Sequence, residues 1–208
     1  MLLPLDTALT FFGAATLLAL APGPDNLFVL AQSSLYGPRA GMSITLGLCT
    51  GLIGHTLAVI CGVALLFQVS IMAFTLLKVA GAGYLLYLAY QTLRAPTLTS
   101  QRQQETVPLR RLYRRGILMN LGNPKVSLFF LSFLPQFSDP QRGPVAPQLL
   151  QLGLLFMLAA LIIFSIIALL AGHLSRLLET RPTLQGGMKN LTALLFVGLA
   201  LKLVGNRA

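Results

Sequence analysis

The sequence Ala21-Pro22-Gly23-Pro24-Asp25-Asn26 places two prolines and a carboxylate inside an apolar segment near the start of the chain. Farther along, Asn120-Leu121-Gly122-Asn123-Pro124-Lys125 interrupts a second apolar segment in a similar way. A proline inside a helix removes a backbone hydrogen bond and clashes with the preceding turn. In hydrocarbon, such breaks persist only where protein or a water-filled cavity satisfies the freed backbone groups. Corresponding breaks in two halves of a membrane protein therefore indicate the binding site of a transporter.

The composition agrees with a membrane protein. The chain has 208 residues, of which 55% are hydrophobic and only 10% are charged, and its mean hydropathy is +0.78. Soluble domains carry about 25% charged residues. Residues 40–77 and 143–175 contain no charged side chain, and each run exceeds the ~20 apolar residues that a spanning helix needs. These features predict an all-α integral membrane protein.

The net charge of +10 does not indicate nucleic-acid binding, because the basic residues cluster between apolar segments. Such clustering is typical of cytoplasmic loops in membrane proteins, so we expect lipid around this chain and no nucleic acid. Six arginines fall in or beside a single connection: Arg94, Arg102, Arg110, Arg111, Arg114 and Arg115.

Hydropathy and breaker residues predict six spans, of which the first and fourth are broken by proline. We expect a first three-helix repeat over 1–94, a cytoplasmic linker over 95–113 and a second three-helix repeat over 114–208. The predicted spans are about 7–35, 42–67, 70–93, 115–137, 147–173 and 187–206.

The distribution of Lys and Arg sets the expected orientation. With the linker inside, both termini are expected to be periplasmic, and the first apolar segment is expected to be a retained span. Three spans on each side of the linker then give the halves opposite orientations, as in an inverted repeat. Basic residues on the inside would be Arg39, the six arginines, Arg176, Arg181 and Lys189, against Arg142, Lys202 and Arg207 outside.

Each break has the residues that start a new helix. Proline is favoured at the first helical position, and Asn and Gly are suitable N-cap residues before it. Two half-helices would then begin inside the membrane, where their free N–H groups and positive dipole ends suit a carboxylate. Candidate binding residues at these starts are Gly23, Pro24, Asn26, Asn123 and Pro124.

Asp25 and Lys125 are the charges at the two breaks. Asp25 either caps its half-helix or binds a cation, which would be a substrate ammonium or a coupling proton. Lys125 opposes the dipole of the helix that it begins, so local stability does not explain it. It either pairs with Asp25 across the two halves or binds a substrate carboxylate.

Two more ionisable residues lie in predicted spans. His55 is either an interhelical hydrogen-bond partner or a proton relay with Asp25, since histidine exchanges protons near neutral pH. Lys78 either extends to the interface or lines a cavity with Lys125 as a substrate ligand.

Cys49 and Cys61 are the only cysteines. They are twelve residues apart in one predicted helix, ~18 Å along its axis, which excludes a disulfide within that helix. We therefore expect no thiol–disulfide electron carrier. The sequence has no metal-ligand spacing, nucleotide-binding loop or nucleophile constellation, so we expect no enzyme, no cofactor and no metal site.

At these residues the chain resembles the lysine exporter (LysE/RhtB) family of bacterial amino-acid exporters, nearest the homoserine/threonine branch. The resemblance covers essentially the whole length. It rests on Pro22-Gly23-Pro24-Asp25, on the Lys78 block with Gly81, Tyr84 and Tyr87, on Asn120 to Lys125, and on Pro135-Gln136-Phe137.

The resemblance implies export of amino acids or close derivatives across the inner membrane, driven by the proton motive force. A zwitterion needs an anion for its ammonium and a cation or a helix N-terminus for its carboxylate, and Asp25 and Lys125 supply both charges. The alternative is an exporter of inorganic cations with a related fold. Which amino acid is carried, and whether the chain forms a homo-oligomer, stay open.

Overall fold

The computed structural model describes residues 3–69 and 107–180, together with individual positions within 79–94 and 183–201. Its regular elements are all helical, and this described part contains no strand. The helices are α1 (Leu5–Leu20), α2 (Pro24–Tyr36), α3 (Pro38–Val69), α4 (Leu109–Leu121), α5 (Pro124–Ser132) and α6 (Val145–Thr180), with 3₁₀ turns at Leu134–Phe137 and Pro140–Arg142.

Both proline breaks are confirmed as bends between consecutive helices. The axes of α1 and α2 meet at 58°, and the axis of α4 bends by 51° into the segment Lys125–Phe137. Each pair is apolar and long enough to cross a membrane as one broken span. These pairs correspond to the first and fourth predicted spans.

Two unbroken helices agree with the second and fifth predicted spans. Stretches of α3 (Pro38–Gly62) and α6 (Val145–His173) are long and apolar enough to cross a membrane. The third and sixth predicted spans, 70–93 and 187–206, lie largely outside the described residues. α4 begins at Leu109, ahead of the predicted start at 115, and its first buried residue is Leu112.

α3 packs against α2, α4 and α6, and glycine permits its close approach to α4. A Cβ atom at Gly47 would collide with the backbone carbonyl oxygen of Tyr113, and one at Gly116 would collide with that of Ile44. Small residues allow such contacts between membrane helices. The Thr50 hydroxyl and the Tyr113 hydroxyl also share a hydrogen bond of 2.9 Å.

The outer faces of the two long helices are apolar and exposed. Leu46, Ile53 and Leu57 on α3, and Leu150, Leu154 and Leu158 on α6, are each about half exposed. Most of the polar residues discussed below are buried instead. This distribution is the reverse of that in a soluble protein and fits a hydrocarbon surrounding.

Aromatic side chains fill the space between α1, α5 and α6. Phe11 of α1 contacts Phe129 and Phe137, and Phe156 of α6 contacts Phe129 and Phe130. The ring centroids in these four pairs are 5.0–6.1 Å apart, within the range of favourable aromatic contacts. The cluster ends at His55 of α3, whose ring lies 5.7 Å from that of Phe130.

Candidate binding site at the two helix breaks

The predicted helix starts are confirmed. Gly23 precedes α2 in extended conformation and Pro24 is the first helical residue. Asn123 precedes α5, and its Oδ1 accepts a 3.0 Å hydrogen bond from the backbone N–H of Lys125. Pro124 occupies the first helical position, where its missing N–H leaves no broken bond.

Asp25 is buried in the first turn of α2, with 2% of its surface exposed. Its Oδ2 accepts a hydrogen bond of 3.3 Å from Nδ2 of Asn120, on α4. Its Oδ1 is buried and has no hydrogen-bond partner. The carboxylate therefore joins the two broken spans. Its second oxygen has no hydrogen bond of standard geometry, and the side chain of Asn123 lies close enough to act on the carboxylate.

Lys125 does not form the direct ion pair with Asp25 that was one of the two predictions for it. The two charged groups lie farther apart than the 4.0 Å of an ion pair. Lys125 Nζ instead donates to the carbonyl oxygens of Leu18 and Ala21, at 3.1 and 2.9 Å.

These carbonyl groups belong to the C-terminal end of α1, where the helix dipole is negative and favours a cation. The positive charge of Lys125 opposes the dipole of α5, the helix that it begins, but it stabilises the C-terminal end of α1. The position of Gly23 explains how the ammonium fits, since a Cβ atom there would lie 3.0 Å from Nζ.

Asn120 was not among the candidate binding residues predicted from the sequence, but it has a central position. It is 1% exposed, and a Cβ atom at Gly51 of α3 would lie 2.7 Å from its Oδ1. One turn farther along α3, His55 Nε2 forms a 3.0 Å hydrogen bond with the backbone oxygen of Asn120. The sequence did contain a sign of this role, because Asn120 is a polar residue in an apolar segment, three positions before the Asn123-Pro124 helix start.

The buried polar atoms at the breaks are incompletely paired. Asn26 donates through Nδ2 to the carbonyl oxygen of Ala19, but its Oδ1 has no partner. Asn120 Oδ1, Asn123 Nδ2 and Asp25 Oδ1 are likewise buried without partners. Unpaired buried polar groups are costly, about 1–3 kcal/mol each, and a ligand or water that pairs with them would recover that energy.

Three further residues from the sequence analysis are not part of this arrangement of described residues. Lys78 lies outside the described residues. Cys49 and Cys61 are both on α3, the first half-buried and the second exposed, and neither is in a disulfide. In the described part of the chain, no group of three or more His, Cys, Asp or Glu side chains is placed to hold a metal ion.

Broken apolar spans that bring buried charges together define the class of this protein: it is a helical membrane protein with the architecture of a transporter. Residues 16–207 match the family model of the LysE type translocator. The chain therefore belongs to the LysE family of membrane translocators, as the sequence motifs indicated.

Several relatives, among them proteins named for efflux, share about a third of the sequence. A homoserine/homoserine lactone efflux protein of Salmonella typhimurium is 35% identical over 162 residues, covering 77% of this chain and 78% of its own length. A leucine efflux protein of the same organism is 31% identical over 197 residues, covering 93% and 92%. An uncharacterized membrane protein of Pseudomonas aeruginosa is 33% identical and covers 93% of both chains. No solved structure matches the chain.

Proposed function

We propose that this protein exports neutral amino acids or their close derivatives across the bacterial inner membrane. The observation that carries the proposal is the buried, half-paired carboxylate of Asp25 between two broken spans of a LysE family chain. The similarity to proteins named for efflux of homoserine and of leucine supports the substrate class. Transport without covalent chemistry needs neither a cofactor nor a catalytic residue.

The unpaired atoms match the ammonium group of an amino acid. An ammonium has three N–H donors, and Asp25 Oδ1, Asn26 Oδ1 and Asn120 Oδ1 are buried acceptors without donors. Asp25 supplies the negative charge, which roughly doubles the strength of its hydrogen bond compared with a neutral acceptor. We assign the ammonium to these three residues.

The substrate carboxylate would bind at the start of α5. Asn123 Nδ2 is a buried donor without an acceptor, and Lys125 follows two residues later. The N-termini of α2, at Gly23 and Pro24, and of α5, at Pro124, add their dipoles. Lys125 would exchange a carbonyl partner at the end of α1 for the carboxylate, so that substrate binding loosens the contact between the broken spans. Lys78 remains a predicted further ligand.

The charges at the site favour a neutral side chain on the substrate. Asp25 is the only carboxylate among the described residues of the two breaks, and the ammonium uses it. A cationic side chain would lie in an apolar interior with Lys125 nearby and no second anion, which is strongly unfavourable. The adjoining phenylalanine cluster instead suits an aliphatic side chain.

Competition for Asp25 couples export to protons. One carboxylate cannot bind an ammonium and a proton at once, so a proton entering from the periplasm would release the substrate and return inward in its place. His55 would support the exchange through its hydrogen bond to Asn120, whose amide contacts Asp25. The halves 1–94 and 114–208 would alternate access by rocking about the two breaks.

Export of an inorganic cation is the second candidate, because Asp25 Oδ1, Asn26 Oδ1 and Asn120 Oδ1 are oxygen atoms of the kind that hard cations bind. Lys125 would repel such an ion. The transport experiment separates the two functions.

The proposal is tested with purified protein in liposomes loaded with a mixture of amino acids. An imposed inward proton gradient should drive efflux of one or a few neutral amino acids, measured by mass spectrometry. Asp25→Asn, which keeps the shape, should reduce this efflux about tenfold to a hundredfold, because it removes a hydrogen bond to a charged group. Protein-free liposomes are the control. Efflux of no amino acid, or equal efflux by the variant, would overturn the proposal.

A further inference from the structure

A cleft of about 330 Å³, lined by both polar and apolar groups, lies at the N-terminal end of α1, far from the helix breaks. This volume is within the range of small-molecule sites. The cleft is lined by Asp6, Thr7 and Thr10 of α1 and, from the other broken span and its turn, by Gln136, Asp139 and Arg142. Thr10 precedes Leu18 by eight residues, so the cleft is ~12 Å or more along α1 from the bonds of Lys125.

The cleft has charges of both signs, and its cation, Arg142, forms an ion pair at the surface. Arg142 Nε donates to Asp139 Oδ2 at 3.1 Å, and Asp139 Oδ1 accepts from the backbone N–H of Gln141 at 2.9 Å. The side chain of Gln148, which is buried, then fixes the loop: Oε1 accepts from the backbone N–H of Asp139 and Nε2 donates to its carbonyl oxygen, at 2.9 and 3.0 Å. Gln148 therefore fixes the backbone of this loop, while the side chains of Arg142 and Asp139 are 61% and 46% exposed and accessible to a ligand.

Aromatic rings separate this cleft from the buried site. Phe137 lines the cleft and contacts Phe11 edge-on, with centroids 5.1 Å apart. Phe11 contacts Phe129, which contacts Phe130, whose ring lies beside His55. The rings between the two places are buried, so the same two broken spans connect two polar regions that are closed off from each other in this conformation.

We propose that the cleft is a second binding site for the amino acid, at one mouth of the transport path. The substrate class rests on the proposed function. The ammonium binds the carboxylate of Asp6, and the carboxylate binds Arg142, whose bond to Asp139 uses one of five N–H donors. In the predicted topology the cleft faces the periplasm, and it holds the amino acid after the aromatic rings have separated.

The test counts binding sites on purified protein with two radiolabelled probes, leucine and homoserine. Wild type should bind two equivalents of the transported probe. Asp6→Asn and Arg142→Gln should each lose one equivalent and keep the other, whereas Asp25→Asn should lose the buried site and keep the cleft. Arg142→Lys retains the charge and should retain both equivalents. Arg110→Gln, at an exposed arginine of α4, is the matched control and should leave two.

The possible results distinguish the cleft site from the buried site at Asp25. A single equivalent that Asp25→Asn abolishes would overturn the cleft site and leave the proposed function intact. A single equivalent that Asp6→Asn abolishes would support the cleft and contradict the buried site. The Asp6→Asn and Arg142→Gln variants could instead elute as single species on gel filtration and still bind two equivalents of the probe. That result would show that these residues only stabilise α1 and the loop, and it would overturn the proposal.

Discussion

Lys125 and Gly23 depend on each other, although they are about a hundred positions apart in sequence. The ammonium of Lys125 reaches two carbonyl oxygens of α1 along a path that a Cβ atom at residue 23 would crowd. Glycine is needed here for space rather than for its backbone freedom, because its φ of −166° is accessible to any residue. The contact between these two residues therefore connects one broken span to the other.

Gly23→Ala should therefore destabilise the protein through Lys125. We expect Lys125→Met to lower the free energy of unfolding by about 2 kcal/mol, because it removes hydrogen bonds from a charged donor. Gly23→Ala should lower it in wild type but much less in the Lys125→Met background. The coupling energy should be about 1 kcal/mol, measured by denaturant unfolding in detergent as a double-mutant cycle.

Gly13→Ala is the matched control for this cycle. Gly13 is on α1, and a Cβ atom there would meet no other atom within 4 Å. Its replacement should leave stability unchanged or raise it, since alanine is the better helix former by about 1 kcal/mol. An equal loss from Gly23→Ala with and without Lys125 would contradict the tie between the spans.

At the level of elements, the approach of α3 to α4 fixes the position of Asn120. Gly47 and Gly116 bring the two backbones into contact, and Gly51 and His55, one and two turns farther along α3, then meet Asn120. A shift of either helix would move the amide that contacts Asp25. The helix crossing is therefore part of the site, even though neither Gly47 nor Gly116 reaches it.

Gly47→Ala and Gly116→Ala should both separate α3 from α4. Each added methyl group meets backbone atoms, which cannot rotate away as a side chain can, so we expect a loss of about 1–3 kcal/mol in unfolding free energy. Gly62→Ala, at a position of α3 with no neighbouring atom within 4 Å, should have little effect. Thermal unfolding in detergent measures the difference, and equal stability of all three variants would disprove the close crossing.

The elements were easier to predict from sequence than their contacts. Proline has the same local effect wherever it occurs, so Pro24 and Pro124 were enough to predict both breaks and both helix starts. The partners of Lys125 are carbonyl groups of α1, and backbone carbonyls have no residue-specific signal. The importance of Asn120 depends on α3, so its sequence neighbours alone did not reveal it.

For the molecule as a whole, the predicted topology has the two ends of the described helices on opposite sides of the membrane. Gln141 and Arg111 are both exposed and lie at these two ends. In a variant without Cys49 and Cys61, Gln141→Cys should react with an impermeant maleimide added to intact spheroplasts. Arg111→Cys should react only after permeabilisation. The reverse pattern would refute the cytoplasmic position of the arginine-rich connection.

The central claim is that one carboxylate, Asp25, holds the substrate ammonium and the coupling proton in turn. Proton release during binding tests it directly, using purified protein in weakly buffered detergent with a pH-indicator dye. Leucine or homoserine, whichever is transported, should release up to one proton per wild-type molecule, because binding lowers proton occupancy. Glu179→Gln, a carboxylate control near the C-terminal end of α6, should behave like wild type, and Asp25→Asn should release none. Saturable binding without proton release, or equal release by Asp25→Asn, would contradict the claim.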